Sequence, residues 1–340
     1  MRRLKILATA LLVSASGVRA DVPNVVVDIP PVFSLVSSVM QGVGTPKLLL
    51  RGNESPHNFA LRPSQRRDLG QADIIFWIGE GLTPWLEKAQ ASLTQTPISV
   101  ALGEQTGVVQ LSFREGAFFE NHGDYDDHDG RGEVNGHTEH NRAETHENAA
   151  AHDGKDHQDH AGHDHAGLDP HFWLDPQNAI HWIYTIADIL SQKDPENAGT
   201  YYANATRTKA SLELLNKNIA QQLAPHRAER FLIVHDAFQY FEARFGLAAQ
   251  GAISDGHAAP SSAARILAIR KLMQDQKISC VFAEPGYNAK LLDNLISETS
   301  VRLKQLDPLG AGLPLDHTLY EAVLQNMADT MVACFTNNEG

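Results

Sequence analysis

Short, almost purely apolar runs alternate with longer stretches in which apolar residues recur every three or four positions. The runs at 24–28, 47–50 and 73–78 predict buried strands, and the patterns at 31–41 and 63–71 between them predict helices. Strand, helix, strand at this spacing is the rhythm of parallel βα units, and uninterrupted apolar strands fit a sheet covered on both faces. The pattern fails over 114–168, which is polar, rich in Gly, Asn, Asp and His, and is expected to be a disordered loop. Ile180, Ile183, Ile186 and Leu190 then mark a helix from Pro176 to Lys193, and Asp194-Pro195 interrupts it. A second helix, about 195–223, carries Leu212, Leu215, Ile219 and Leu223 on one stripe and stops before Pro225. The βα rhythm resumes with strands at 231–234, 278–283 and 301–306 and helices at 236–245, 261–275, 288–299 and 317–335. The expected fold is α/β, with two Rossmann-like lobes of parallel strands, 21–180 and 224–340. Connecting helices at 181–223, chiefly the long one at 195–223, join them rigidly around a cleft.

Composition refines this picture. The 340 residues suffice for two domains and carry a net charge of −13, which argues against a nucleic-acid partner. Ten of the 17 histidines fall between His122 and His165, and residues 120–168 hold 13 acids against 3 bases. The rest of the chain is therefore close to neutral. Met1-Arg-Arg-Leu-Lys5, the apolar run 6–13 and the small residues up to Ala20 describe a signal peptide, 1–20, cleaved after Ala20. A buried N-terminal helix is the plainer alternative. Cys280 and Cys334 are the two cysteines; an oxidising compartment favours a disulfide between them over two separate buried thiols.

Open α/β sheets bind ligands beyond the carboxyl ends of their strands. His235, Glu284 and Asp307 each follow a predicted strand directly, His57 lies in the loop after the strand ending at Leu50, and His171 stands where order resumes after the histidine-rich stretch. Three imidazoles with one carboxylate make a tetrahedral zinc set, and imidazole suits zinc better than manganese. Within the insert, His137/His140, His157/His160, His160/His163 and His163/His165 have chelating spacings. His157, His160, His163 and His165 are expected to form an auxiliary, weaker metal site, because a disordered chain loses entropy on chelation. A solvated spacer is the plainer reading of that stretch. His181, His226 and His317 are expected at the surface or at helix ends, and His257 near the cleft. The four tryptophans, Trp77, Trp85, Trp173 and Trp182, are expected to pack in the core or between lobes.

The local sequences around these residues carry a resemblance. Ser55-Pro-His-Asn-Phe-Ala-Leu-Arg-Pro-Ser64, Asp169-Pro-His-Phe-Trp-Leu-Asp-Pro176 and Leu232-Ile-Val-His-Asp-Ala-Phe-Gln-Tyr-Phe241 resemble the three ligand segments of the metal-specific periplasmic solute-binding proteins. Val281-Phe-Ala-Glu-Pro-Gly286 and Gln305-Leu-Asp-Pro-Leu-Gly310 are similar to their later segments, and the acidic histidine-rich insert is typical of the zinc-uptake members. The resemblance spans the mature chain in order. It implies a zinc-binding receptor of a high-affinity ABC importer, with His57, His171 and His235 as ligands and Asp307 or water as the fourth. It also implies a Cys280–Cys334 disulfide and a rigid helix between the lobes. Zinc is then cargo and not a cofactor, the partner is an inner-membrane permease, the location is the periplasm, and the protein is expected to be a monomer and not an enzyme. Manganese or iron receptors of the same fold are rivals. So are a permease-free zinc buffer and an exported zinc hydrolase with Glu284 as base, although neither His-Glu-x-x-His nor Gly-x-Ser-x-Gly occurs. Gly42-Val-Gly44 and Gly310-Ala-Gly312 lack the third glycine of a dinucleotide loop.

Overall fold

A computed structural model describes residues 22–51, 54–114, 119, 167–254, 263–287, 289–297 and 299–337. The signal-peptide reading, His257 and the auxiliary site of His157, His160, His163 and His165 lie outside them. The first sheet comprises β1 (Val25–Val27), β2 (Lys47–Leu48), β3 (Ile74–Trp77) and β4 (Ile98–Ala101), all parallel, in the order β2-β1-β3-β4. The second comprises β5 (Phe231–His235), β6 (Ala252–Ser254), β7 (Cys280–Ala283) and β8 (Arg302–Gln305), also parallel, in the order β6-β5-β7-β8. The helices are α1 (Pro30–Val39), α2 (Pro63–Gly70), α3 (Pro84–Gln90), α4 (Pro176–Lys193), α5 (Ala198–Leu223), α6 (Gln239–Phe245), α7 (Ala263–Asp275), α8 (Ala289–Ile296) and α9 (Leu319–Thr336).

The period-two alternation of the strands sorts their side chains into layers. Val25, Val27, Ile74 and Phe76 point one way, and Val26, Ile75 and Trp77 point the other, onto Leu69 and Leu86. In the second sheet Phe231, Ile233, Cys280 and Phe282 share one face, while Leu232, Val234 and Val281 pack outward with Ile269 and Leu292. The inner faces of both sheets belong to a single continuous core with the buried sides of α1, α4, α5 and α9. A hydrophobic layer of helices therefore fuses the two lobes. The interrupting Asp194-Pro195 leaves only a short 3-10 turn, Pro195–Asn197, between α4 and α5. With 26 residues, α5 is about 39 Å long. Its Leu212, Leu215, Ile219 and Leu223 are buried on the predicted stripe.

Two expectations need adjustment. The α6 helix begins at Gln239 and not at 236, because Asp236 is drawn into an ion pair and the Ala237 amide bonds back to the His235 carbonyl at 2.8 Å. The strands β4 and β6 and the helix α3 were not predicted at all. The cysteines form a disulfide, Cys280–Cys334, with the Cα atoms 6.3 Å apart, which ties β7 to α9. No helix among the described residues is long and apolar enough to cross a membrane.

Candidate metal centre

Each sheet reverses its strand order between its second and third strands, and the carboxyl end of that crevice is where ligands bind in open α/β folds. His235 is the last residue of β5, and Glu284 directly follows its neighbour β7. From the first lobe, the loop after β2 brings in His57, and the segment leading into α4 brings in His171. The ring centroids are 5.5 Å apart for His57 and His171, 5.6 Å for His57 and His235, and 5.1 Å for His171 and His235, each pair edge to face. One nitrogen from each lies within 4.8 Å of the others, a spacing that a single ion can bridge. His171 and His235 are almost fully buried and His57 is half-buried. They line a cavity of about 100 Å³ together with Glu54, Glu284 and Asp307.

Backbone and side-chain bonds fix each histidine. The Trp85 indole donates to the Pro56 carbonyl at 2.7 Å, beside His57. Earlier in the same loop Glu54 is ion-paired with Arg62 and accepts from the Arg51 amide. Gln65 of α2 accepts from the Arg62 amide at 2.7 Å and donates to the Leu49 carbonyl at 2.5 Å, closing the loop at its base. Asp169 Oδ1 accepts from the His171 backbone at 3.0 Å and lies 2.6 Å from the His171 Nδ1. Trp173 packs against the His171 ring and donates to the Pro308 carbonyl at 2.8 Å, so the first lobe is held to the loop that carries Asp307. Glu284 Oε1 lies 3.0 Å from the His235 Nδ1. In both pairs a carboxylate sits on Nδ1, which fixes the tautomer and orientation of a metal-binding imidazole.

Three acids near this site, Asp169, Asp236 and Glu284, are shifted from their ordinary values. Burial pushes the Asp169 carboxyl up to about 7, against the opposing pull of the His171 amide, Arg114 and His235. Burial also raises Asp236 to about 6 although Arg114 is beside it. For Glu284, desolvation is outweighed by the charge and hydrogen bond of His235 and by the charge of His171, so its pKa lies below the ordinary glutamate value. Asp307 lines the same cavity but stands outside the three-imidazole group. Its Oδ1 accepts from the amides of Leu309 and Gly310, and its Oδ2 from that of Ala311 at 2.7 Å. Gly310 has φ +72°, and a side chain there would press on Val323, so this turn needs glycine.

The remaining sequence candidates lie elsewhere. His181 is exposed on α4, His226 stacks on Phe335, and the ring of His317 meets Gln41. The tryptophans pack as expected: Trp77, Trp173 and Trp182 are buried, and Trp85 is partly so. Sequence reasoning passed over Asp169, although it stands two residues before His171, the spacing of an Asx turn. It also passed over Arg114, whose partners are more than a hundred residues away.

The chain matches the family model described as zinc-uptake complex component A, periplasmic, over residues 25–334. It is 42% identical over 332 residues, 97% of either chain, to the high-affinity zinc uptake system protein ZnuA of Brucella suis biovar 1 (strain 1330). It is equally similar, 42% over 330 residues and 97% of either chain, to the protein of that name from Paracoccus denitrificans (strain Pd 1222). Among solved structures, a zinc-bound ZnuA deletion mutant superposes with TM-score 0.68 at 22% identity, covering 92% of this chain and 98% of that one. The solute-binding protein FpvC of Pseudomonas aeruginosa, in complex with Mn2+, gives TM-score 0.70 at 19% identity, covering 93% and 99%. At these identities the structural matches establish the two-lobed frame alone, and that frame is shared by proteins solved with different metals. Three imidazoles gathered in such a frame, a family match over almost the whole described chain and full-length relatives at 42% identity converge: the chain belongs to the ZnuA family of periplasmic zinc-uptake components.

Proposed function

We propose that this protein captures zinc in the periplasm and delivers it to the membrane permease of an ABC-type importer, acting as a monomeric binding receptor and not as an enzyme. The observation that carries the reading is the convergence of His57, His171 and His235, from three separate segments, at one-ion spacing. With carboxylates on the Nδ1 atoms of His171 and His235, Nε2 is the ligating nitrogen of each. Asp307 supplies the fourth, oxygen ligand: it lines the cavity, and its Oδ2 accepts one amide where Oδ1 accepts two, which leaves Oδ2 a lone pair for a metal. Three neutral imidazoles and one carboxylate leave the buried ion at a net charge of +1, which lowers its desolvation cost. Glu284 sits on the His235 imidazole, and this favours a receptor over a hydrolase that would need that carboxylate as base. The names of the relatives favour zinc over manganese or iron. The histidine-rich insert is an auxiliary collector, and residues 1–20 are the export signal removed after Ala20.

Calorimetric zinc titration against a competing chelator tests this on the mature chain and three variants: a deletion of 120–166, His57→Ala/His171→Ala/His235→Ala, and Asp307→Ala. The deletion retains one tight site, the triple variant loses it, and Asp307→Ala weakens it. Tight binding that disappears with the deletion and survives in the triple variant would move the site to the insert and make the protein a zinc buffer.

A further inference from the structure

Beside the three imidazoles lies a buried charged group that metal ligation does not use. Arg114 ends a segment that pairs antiparallel with the chain just before His171, through a Ser112–Leu168 bridge and a 2.8 Å bond from the Phe113 amide to the Gly167 carbonyl. Its guanidinium crosses to the other lobe. Nε donates to both Asp236 oxygens at 3.1 and 3.2 Å, and Nη2 also contacts Oδ1. Nη1 and Nη2 reach the two Glu242 oxygens at 2.7 and 3.0 Å. The Phe119 ring covers the guanidinium, 3.9 Å from Cζ. The Arg114 side chain is 16% exposed and the two carboxylates are 4% and 3% exposed, so the triad is shielded from water.

Its location connects it to both buried histidines. Asp236 follows His235 in the chain. The Tyr240 hydroxyl accepts from the Leu111 amide at 2.9 Å and donates to the Asp169 carbonyl at 3.0 Å, and Asp169 in turn holds His171. The segment 109–114, the His171 turn and the end of β5 are thus stitched into one unit with Arg114 as its charged fastener. We propose that Arg114 is a positioning residue for the metal: by clamping Asp236 and Glu242 it holds His235 of one lobe at ligating distance from His171 of the other. This rests on reading the three histidines as the zinc site. The clamp slows zinc release, because a closed ligand set must be pulled apart before the ion leaves.

Zinc dissociation into excess chelator, the cobalt(II) absorption spectrum and the metal-free melting temperature are to be measured on the full chain and two variants. Replacing a complete buried ion cluster leaves no orphan charge, so Arg114→Met/Asp236→Asn/Glu242→Gln is expected to fold. It should release zinc about tenfold faster than wild type, within the usual range of coupling between sites. Arg114→Lys keeps the charge and loses the planar fork, so its rate should lie between the two and its cobalt spectrum should shift. Wild-type release rates in a folded triple variant would overturn the proposal. If that variant does not fold, Arg114→Lys decides: a lowered melting temperature with an unchanged release rate and spectrum would reduce the triad to a stabilising salt bridge. Absence of a tight site in the wild type would sink the site assignment and the clamp with it.

Discussion

A histidine is a useful ligand only when its ring is held still and its proton is kept on the correct nitrogen. In the proposed zinc site, Asp169 and Glu284 do this for His171 and His235, each from the Nδ1 side. Asp169→Asn keeps an acceptor oxygen for the His171 ring and removes the charge, and Glu284→Gln does the same for His235. Each change should weaken zinc binding about 10- to 100-fold in a competition titration without altering the circular dichroism. An unchanged affinity would mean that these carboxylates only satisfy buried imidazoles. At this scale the sequence was readable where chemistry is local. His57, His171 and His235 sit in short motifs that mark them as candidate ligands, and the structure brings all three side chains together. Arg114 was unreadable because its partners, Asp236 and Glu242, are 122 and 128 positions away. Only the fold puts a lone arginine next to two buried acids.

Among the elements, β1 and β3 are joined by a buried carboxyl group. Asp28, just past β1, accepts from the Ile29 amide and from the Ile78 amide just past β3, both at 2.8 Å. Burial pushes its carboxyl up to about 7, more than those amide bonds pull it down. The folded chain therefore retains a proton that the unfolded chain gives up near pH 4. This group's contribution to stability is then full below pH 4 and declines as the pH rises toward 7, by up to about 1.4 kcal/mol per pH unit. Urea unfolding between pH 4.5 and 7.5 should show that decline in wild type and a flatter profile in Asp28→Asn. Parallel profiles would show that Asp28 is ionised throughout. The elements themselves were legible where apolar runs were long, as in β3 and β5, or where helical stripes persisted, as in α4 and α5. The strand β4 escaped notice because it has only four residues, Ile-Ser-Val-Ala at a sheet edge, too few for a period to show. The strand β6 has three residues and α3 has seven, too few for a period to show.

For the molecule as a whole, the shared core limits how far the lobes can part. Arg114 crosses from the first lobe to Asp236 and Glu242, and Arg244 of α6 crosses back to Asp175, the N-cap of α4, with two bonds of 2.6 Å. Opening the cleft widely would expose buried faces of α1, α5 and α9 and break both crossings. Small-angle scattering on the 120–166 deletion should give zinc-free and zinc-loaded radii of gyration within about 1 Å of each other, against roughly 20 Å for a compact chain of this length. A difference of several ångströms would indicate a hinge. Sequence periodicity predicted two α/β units and the helices between them. It gave no sign that their inner faces merge, because period-two alternation shows that a strand face is buried and not what buries it.

That merged core has a consequence for how the protein is made. The helix α1 packs against α9, and the Ser34 hydroxyl of α1 accepts from the Tyr320 amide at 3.0 Å, 286 positions later. The first helix among the described residues thus receives part of its packing surface from the last of them, the eighteen-residue α9. Until that helix arrives, the N-terminal sheet lacks one wall, and contacts of such long range form slowly. A chain that ends before α9 lacks the Tyr320–Ser34 bond and the packing that α9 gives α1, so its N-terminal lobe is expected to be less stable than that of the full chain.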